Sequence, residues 1–333
     1  MSAIQRRFQI EMELSREQLL DAYRYMRLIR EFEERIHLEF ATGEIPGFVH
    51  LYAGEEASAV AICMNLGEQD YIASTHRGHG HCIAKGCDVR AMMKELYGRR
   101  DGLCGGKGGS MHIADMSKGM MGANGIVGGG PPLICGAALS AKILKTGGVA
   151  VTFFGDGGFN QGTTLEAMNL ASAWKLPAVF VLEDNGYAES TASSWSIGGG
   201  DPIKRAAGFG LAGRSVEGHD FFATYQTARD LIDYARAGNG PSFLHVKCTR
   251  FYGHFEGDAS TYRAPGEVAA ARSERDCLKL FRDRVTTMGL LQPPQLDDID
   301  SEVVALIGSA VAAAKEAPPP EAADLITHVY SSY

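Results

Sequence analysis

Two continuous apolar runs, Gly148–Phe154 (GVAVTFF) and Ala178–Leu182 (AVFVL), flank a helical stretch at 162–174. Runs without polar alternation fit strands buried on both faces, the usual condition of parallel strands. Joined through a helix they make a βαβ unit, whose crossover is almost always right-handed. The alternation continues with helix 203–209, strand 212–216, helix 221–237 and strand 242–248. The expected fold class is α/β, a mostly parallel sheet with helices on both faces.

Other elements flank this unit. Ser15-Arg16-Glu17-Gln18 has the form of a capping box, and apolar residues from Leu19 to Ile36 continue an amphipathic helix that ends near the Gly43–Pro46 turn. Helices are expected at 54–66, 88–97 and 132–145, and a short strand at 70–74, followed by the loop THRGHGH. Past 250, helices at 266–287 and 298–315 are separated by a linker turn at Gln292–Pro294. The expected organisation is an N-terminal helical extension (1–45), an α/β domain (46–265) and a C-terminal helical segment (266–333).

Composition narrows the function classes. A net charge of -8 speaks against a broad nucleic-acid interface. The N-terminal MSAIQRRFQIEMELS has no apolar core, so no secretory signal is expected. The least polar stretch is cut by Gly, Pro and Lys, so no membrane span is expected either. Seven scattered Cys with no CxxC pair read as reduced core thiols, and the expected location is the cytoplasm. The 41 Gly cluster at 102–109, 119–130 and 155–158, which suggests a ligand cradle made largely of backbone. The long Gly-rich stretch 98–132 is read as functional.

The strongest chemical signal is Gly155-Asp156-Gly157 where the first buried strand ends. A second is Glu183-Asp184-Asn185-Gly186-Tyr187 past the next one. Carboxyl ends of strands in open α/β sheets are where ligands bind. Asp156 and Asn185 would face one crevice and supply two oxygens of a Mg²⁺ site, the rest coming from phosphate and water. Gly157 and Gly158 would let the backbone approach a diphosphate at the start of helix 162–174. A lone Gly-Asp-Gly reads more naturally as an ordinary tight turn; the Asn at a second strand tip favours the Mg²⁺–diphosphate reading. GxGxxG fails because position 160 is Asn160, and a P-loop fails because Asp101 and Gly108 stand where Gly and Ser or Thr are required.

The segment GDGGFNQGTTLEAMNLASAWKLPAVFVLEDNGY, with GFVHLYAGEEA, DYIASTHRGHGH, GLCGGKGGSMHIAD, NGIVGGGPPL and YGHFEGDASTYR in the same order, resembles the alpha subunits of the thiamine-diphosphate-dependent first components of 2-oxo-acid and acetoin dehydrogenases. The match runs from about 15 to 290. It implies that Asp156, Asn185 and the Tyr187 carbonyl bind Mg²⁺. It implies that Gly157, Gly158, Ala188 and Arg77 meet the diphosphate, that His76 is a cofactor-binding residue where the family places an aromatic or polar side chain, and that Gly125 and Val127 hold the aminopyrimidine side. His254 would contact the diphosphate and aid transfer to lipoamide, and His50 would lie near substrate. Without the resemblance, His254 reads as a loop histidine, and His50 reads equally well as structural. Zinc at His76, His79, His81 and Cys82 is disfavoured by adjacent Arg77.

The resemblance also implies that the Glu needed against the aminopyrimidine sits on a separate beta subunit, since Glu55 and Glu56 belong to a helix start and Glu166 lies beyond the Gly-Asp-Gly turn. The expected assembly is two alpha and two beta chains, working with a lipoyl-bearing acyltransferase on a small-molecule substrate, with no nucleic acid or membrane involved. GHFEGD and NGYAEST look most like the acetoin branch; pyruvate or branched-chain 2-oxo acids are the alternative. Phe255 excludes phosphorylation at its position. Two other classes remain in view: a nicotinamide oxidoreductase and a non-catalytic scaffold. The missing third Gly argues against the first, and intact Asp156, Asn185 and Arg77 argue against the second.

Overall fold

The computed structural model describes residues 14–330. Residues 1–13, and with them most of the segment read for a secretory signal, lie outside the described residues. Five strands form one parallel sheet in the order β1-β2-β3-β7-β6: β1 (Tyr71–Ala73), β2 (Ala150–Gly155), β3 (Ala178–Asp184), β6 (Ala212–Glu217) and β7 (Ser242–Lys247). A separate antiparallel hairpin pairs β4 (Tyr187–Ala188) with β5 (Thr191–Ala192). No described helix is long and apolar enough to cross a membrane.

The period-2 alternation of each strand feeds two cores. Val151, Phe153, Val179, Val181, Leu244 and Val246 face one side. That side is covered by α1 (Arg16–Phe40), α2 (Glu56–Cys63), α3 (His79–Ala84), α4 (Val89–Leu96), α9 (Phe221–Arg236), α11 (Cys277–Thr287) and α12 (Pro293–Glu316). Ala150, Phe154, Ala178, Phe180, Leu182 and Phe243 face the other, against α5 (Gly130–Leu144), α6 (Gly162–Ala173) and α8 (Pro202–Gly208). The terminal helices share the first core with the sheet. Between α1, α2 and α11, buried Arg30 binds Glu56 at 2.5 Å and Asp276 at 3.0 Å.

The helix α1 starts as its sequence implies: the Ser15 hydroxyl accepts from the Gln18 amide, and the Gln18 side chain accepts from the Ser15 amide. Four expectations need correction. The loop THRGHGH turns into α3 after Gly78, because Gly80 lies against the Tyr52 ring, where a Cβ would come within 2.1 Å. The helix expected at 266–287 is two, α10 (Glu267–Glu274) and α11, broken where extended Asp276 caps Leu278. The linker turn at Gln292–Pro294 is the start of α12, with Pro at its first position, where no backbone donor is needed. Strand β4, strand β5 and a four-residue helix, α7 (Ser193–Ser196), follow the metal-type segment, where no element was expected.

The Gly-rich stretch is ordered by one buried carboxylate. Glu95, at the end of α4, accepts from the amides of Cys104 (2.8 Å), Gly106 (2.8 Å), Gly108 (2.7 Å) and Gly109 (3.1 Å). Gly106 needs its positive φ there, and a Cβ would meet the Arg99 carbonyl at 2.7 Å. Replacing Glu95 with Ala strands these donors, at about 1–3 kcal/mol for each that stays buried. The Glu95→Ala protein is expected to lose roughly 3 kcal/mol or more in urea unfolding. Trypsin should then cut at Arg99, Arg100 and Lys107; unchanged stability and protection would contradict this account.

Candidate active site

A cavity of about 230 Å³ opens at the carboxyl ends of β2 and β3. The register pairs Gly155 with Glu183, so the residues that follow each strand, Asp156 and Asn185, leave the sheet side by side. Both line the cavity, with Gly157, Gly158, Tyr187 and Ala188. A Cβ on Gly157 would lie 2.8 Å from the Ala188 Cβ, so only Gly permits this approach of the two loops.

The donor set fits a hard cation. Asp156 is buried, and its Oδ2 has no partner. Burial, then the nearby Asp184 charge, push its pKa up to about 6. Asn185 donates from Nδ2 to Glu55 Oε1 at 2.9 Å, which fixes the amide orientation and leaves Oδ1 with only a long contact from the Tyr187 amide, 3.4 Å. The Tyr187 carbonyl receives a weak 3.5 Å contact from Arg250.

The same cavity fits an anion. Arg77 and Arg250 are buried and line it, and neither is ion-paired among the described residues. Arg77 donates to the Leu51 carbonyl and to the His254 carbonyl at 2.8 Å. Burial and then Arg250 lower its pKa to about 10. Arg250 donates to the Tyr252 carbonyl at 3.1 Å and to the Tyr262 hydroxyl at 2.7 Å. Two guanidinium groups without an ion pair, beside a carboxylate oxygen without a partner, fit a diphosphate together with a divalent cation. Residues at the N-terminal end of α5 (Gly130, Pro131) line the cavity, with Val127 and Gly128 before them. Helix α6 does not reach it, because a 3₁₀ turn over Gly158–Asn160 intervenes. The helix end that borders the cavity is therefore that of α5, while α6 is reached only through the Gly158–Asn160 turn. Gly125 adjoins the lining but is not part of it, and a Cβ there would meet His112 at 3.2 Å.

Three histidines gather on the Arg77 side. His50, His76 and His254 have ring nitrogens within 4.8 Å of one another. Ring centroids lie 4.6 Å apart for His50–His76, and 5.2 Å for His254 with each of the others. His76 and His254 line the cavity; His50 stands behind them. Burial and then Arg77 hold His50 at a pKa of about 3 and His254 at about 4, and push His76 well below the usual imidazole value. All three are neutral at pH 7. The flanking arginines make this a poor cation site. The other residues weighed for zinc are separated: His79 bridges Glu33 and Ser110, and His81 bridges Ser74 and Glu183.

The lining also includes charged residues given no site role from the sequence, among them Glu55, Glu183 and Arg250. Glu183 accepts from Tyr52, from Ser58 (2.6 Å) and from His81 (3.3 Å). Burial pushes its pKa up, but these partners hold it below the usual carboxylate value. Burial and neighbouring Glu183 push Glu55 up. Glu55 was passed over as a helix-start residue, and it is the N-cap of α2; its position at the head of the Glu55-Glu56 pair carries no sign of the contact with Asn185.

The dehydrogenase E1 component family matches residues 24–323. The chain belongs to this family. Among its E1 relatives, the alpha subunit of an acetoin:2,6-dichlorophenolindophenol oxidoreductase from Cupriavidus necator is 60% identical over 96% of both chains. Its counterpart from Bacillus subtilis is 49% identical over the same shares. The pyruvate dehydrogenase E1 alpha subunit of Rhizobium meliloti is 38% identical over 95% of this chain and 91% of its own length. Membership in the E1 family implies thiamine diphosphate, and an alpha subunit implies a beta partner.

In the cofactor-free complex, ionised Asp156 is a liability. Its folded pKa lies above the unfolded one, so the penalty is absent below about pH 4, sets in as pH rises, and is complete above about pH 6. Asp156→Asn is expected to raise the unfolding free energy at pH 8 by on the order of 1–3 kcal/mol, with the gain fading toward pH 4. Adding thiamine diphosphate and Mg²⁺ should reverse the order, by thermal unfolding. A variant less stable than wild type at pH 8 without ligands would contradict the orphaned-carboxylate reading.

Proposed function

We propose that this chain is the alpha subunit of a thiamine-diphosphate- and Mg²⁺-dependent enzyme that cleaves acetoin and passes the two-carbon unit to lipoamide on an acyltransferase component. The observation that carries the reading is the shared crevice of Asp156 and Asn185, set by the register of β2 and β3. The acetoin assignment draws on the two relatives of 60% and 49% identity. A cytoplasmic setting accords with the seven free thiols.

Thiamine diphosphate supplies an electron sink for breaking a bond next to a carbonyl. The chain's part is to bind, orient and exclude water. Asp156, Asn185 Oδ1 and the Tyr187 carbonyl would hold Mg²⁺. Arg77 and Arg250 would neutralise the diphosphate, with Gly157, Gly158 and Ala188 against it. Val127, with Gly125 behind it, would meet the aminopyrimidine side. Glu55 and Glu183 are committed to internal hydrogen bonds, so neither is free to serve the aminopyrimidine. That role falls to the beta subunit in an assembly of two alpha and two beta chains. The rim agrees: Ile126 and Val127 are 71% and 47% exposed, and Leu133, near the cavity end of α5, is exposed as well. Apolar residues left open beside a cavity mark a surface that a partner covers.

Co-expressed with its beta subunit, thiamine diphosphate and Mg²⁺, the chain is expected to reduce a dye acceptor with acetoin, and to do nothing alone. Asp156→Ala should abolish cofactor binding in calorimetry. Preference for pyruvate or a branched 2-oxo acid over acetoin would overturn the substrate assignment. Full activity of Asp156→Ala would overturn the site.

A further inference from the structure

Acetoin cleavage makes a demand that 2-oxo-acid decarboxylation does not. When the bond between the carbonyl and carbinol carbons breaks, its electron pair stays with the two-carbon unit held by the cofactor. The carbinol C–O becomes the C=O of acetaldehyde, and the hydroxyl proton must go to a base. Carbon dioxide leaves from a carboxylate with no proton to give up. An acetoin-cleaving cavity therefore needs one basic group more.

The groups lining the cavity can be sorted by what they already do, Glu189 among them being exposed to solvent. Asp156 and Asn185 face the cation position. Glu55 accepts from Asn185, and Glu183 accepts from Tyr52, Ser58 and His81. Arg77 and Arg250 are cationic. His254 lines the cavity with its ring Nδ1 buried and unpartnered, its amide donating to Asp258 at 2.6 Å and its carbonyl accepting from Arg77, but the family resemblance places it at the diphosphate. His50 does not line the cavity. His76 does, and it makes no hydrogen bond among the described residues. Behind it stands His50, whose buried Nδ1 has no partner.

We propose that His76 is the base that takes the carbinol proton of acetoin as the carbon–carbon bond breaks, with His50 as the next acceptor; this rests on the acetoin reading above. Neutral imidazoles keep a lone pair available at every assay pH. A weak base suffices, because the hydroxyl becomes strongly acidic as its carbon turns into a carbonyl. Diphosphate against Arg77 would also lift the positive field that the cluster feels in the unliganded cavity.

The test uses the alpha–beta complex with thiamine diphosphate and Mg²⁺. His76→Ala is expected to lower kcat for acetoin by ~10²–10⁴-fold. Added imidazole should restore part of it, and the wild type should show a solvent deuterium isotope effect on this step. Calorimetry on the cofactor-loaded complex should show unchanged binding of O-methylacetoin, which keeps the carbonyl but has no hydroxyl proton to give. Acetoin turnover within about threefold of wild type would overturn the proposal, as would a loss matched by lost O-methylacetoin binding and no rescue. A wild-type complex that decarboxylates 2-oxo acids but leaves acetoin intact would instead overturn the functional reading beneath it.

Discussion

The pairing of β2 with β3 is the constraint from which the site follows. A strand fixes its side chains only to within its register, and a slip by one residue turns every side chain to the opposite face. Here the register is locked by two cores at once. Val151, Phe153, Val179 and Val181 pack on one face, and Ala150, Phe154, Ala178 and Phe180 on the other. A slip would disrupt both. Because the strands are parallel and adjacent, their tips emerge at one edge, and Asp156 and Asn185 become neighbours although 29 residues separate them.

Buried charge is then placed against stability. Asp156 keeps a buried Oδ2 without a partner, and Arg77 and Arg250 lie buried with only carbonyls and a hydroxyl to bind. Such groups cost free energy that the rest of the fold must offset. The protein contrasts them with charges it does compensate. Arg30 meets Glu56 and Asp276, and Glu183 is surrounded by three donors. Unmet charges of both signs, concentrated in one cavity and absent from the nearby networks, are a physical signature of a missing bipolar ligand.

Much of this arrangement could be read from the residues. The buried runs gave β2 and β3 because parallel strands show no alternation, and the Gly-Asp-Gly and Asn positions followed from strand ends. The three-histidine cluster was not legible from spacing; only the family resemblance put His76 and His254 at the cofactor and His50 near substrate. His50, His76 and His254 come from three separated loops, and only the fold brings their rings within about 5 Å. Helix α3 was missed for a different reason. Its glycine reads as a breaker, whereas Gly80 is there because Tyr52 leaves no room for a Cβ. The start of α12 was missed because Pro293 and Pro294 punctuate loops as readily as they open helices.

The cavity is also asymmetric in a way that bears on its division of labour. One end, at the strand tips, is dense with polar groups whose geometry is set inside the chain. Asn185 is oriented by Glu55, and Arg77 is clamped between the carbonyls of Leu51 and His254. The other end, at Ile126 and Val127, is apolar and open to solvent. A chain that preorganises cation and diphosphate so fully, yet leaves the opposite rim bare, has no carboxylate to spare there. Adding one on this scaffold would place a further negative charge in a cavity where burial, and then repulsion from Glu183, already raise the pKa of Glu55. Supplying that group from a second chain avoids the conflict, and makes activity conditional on assembly.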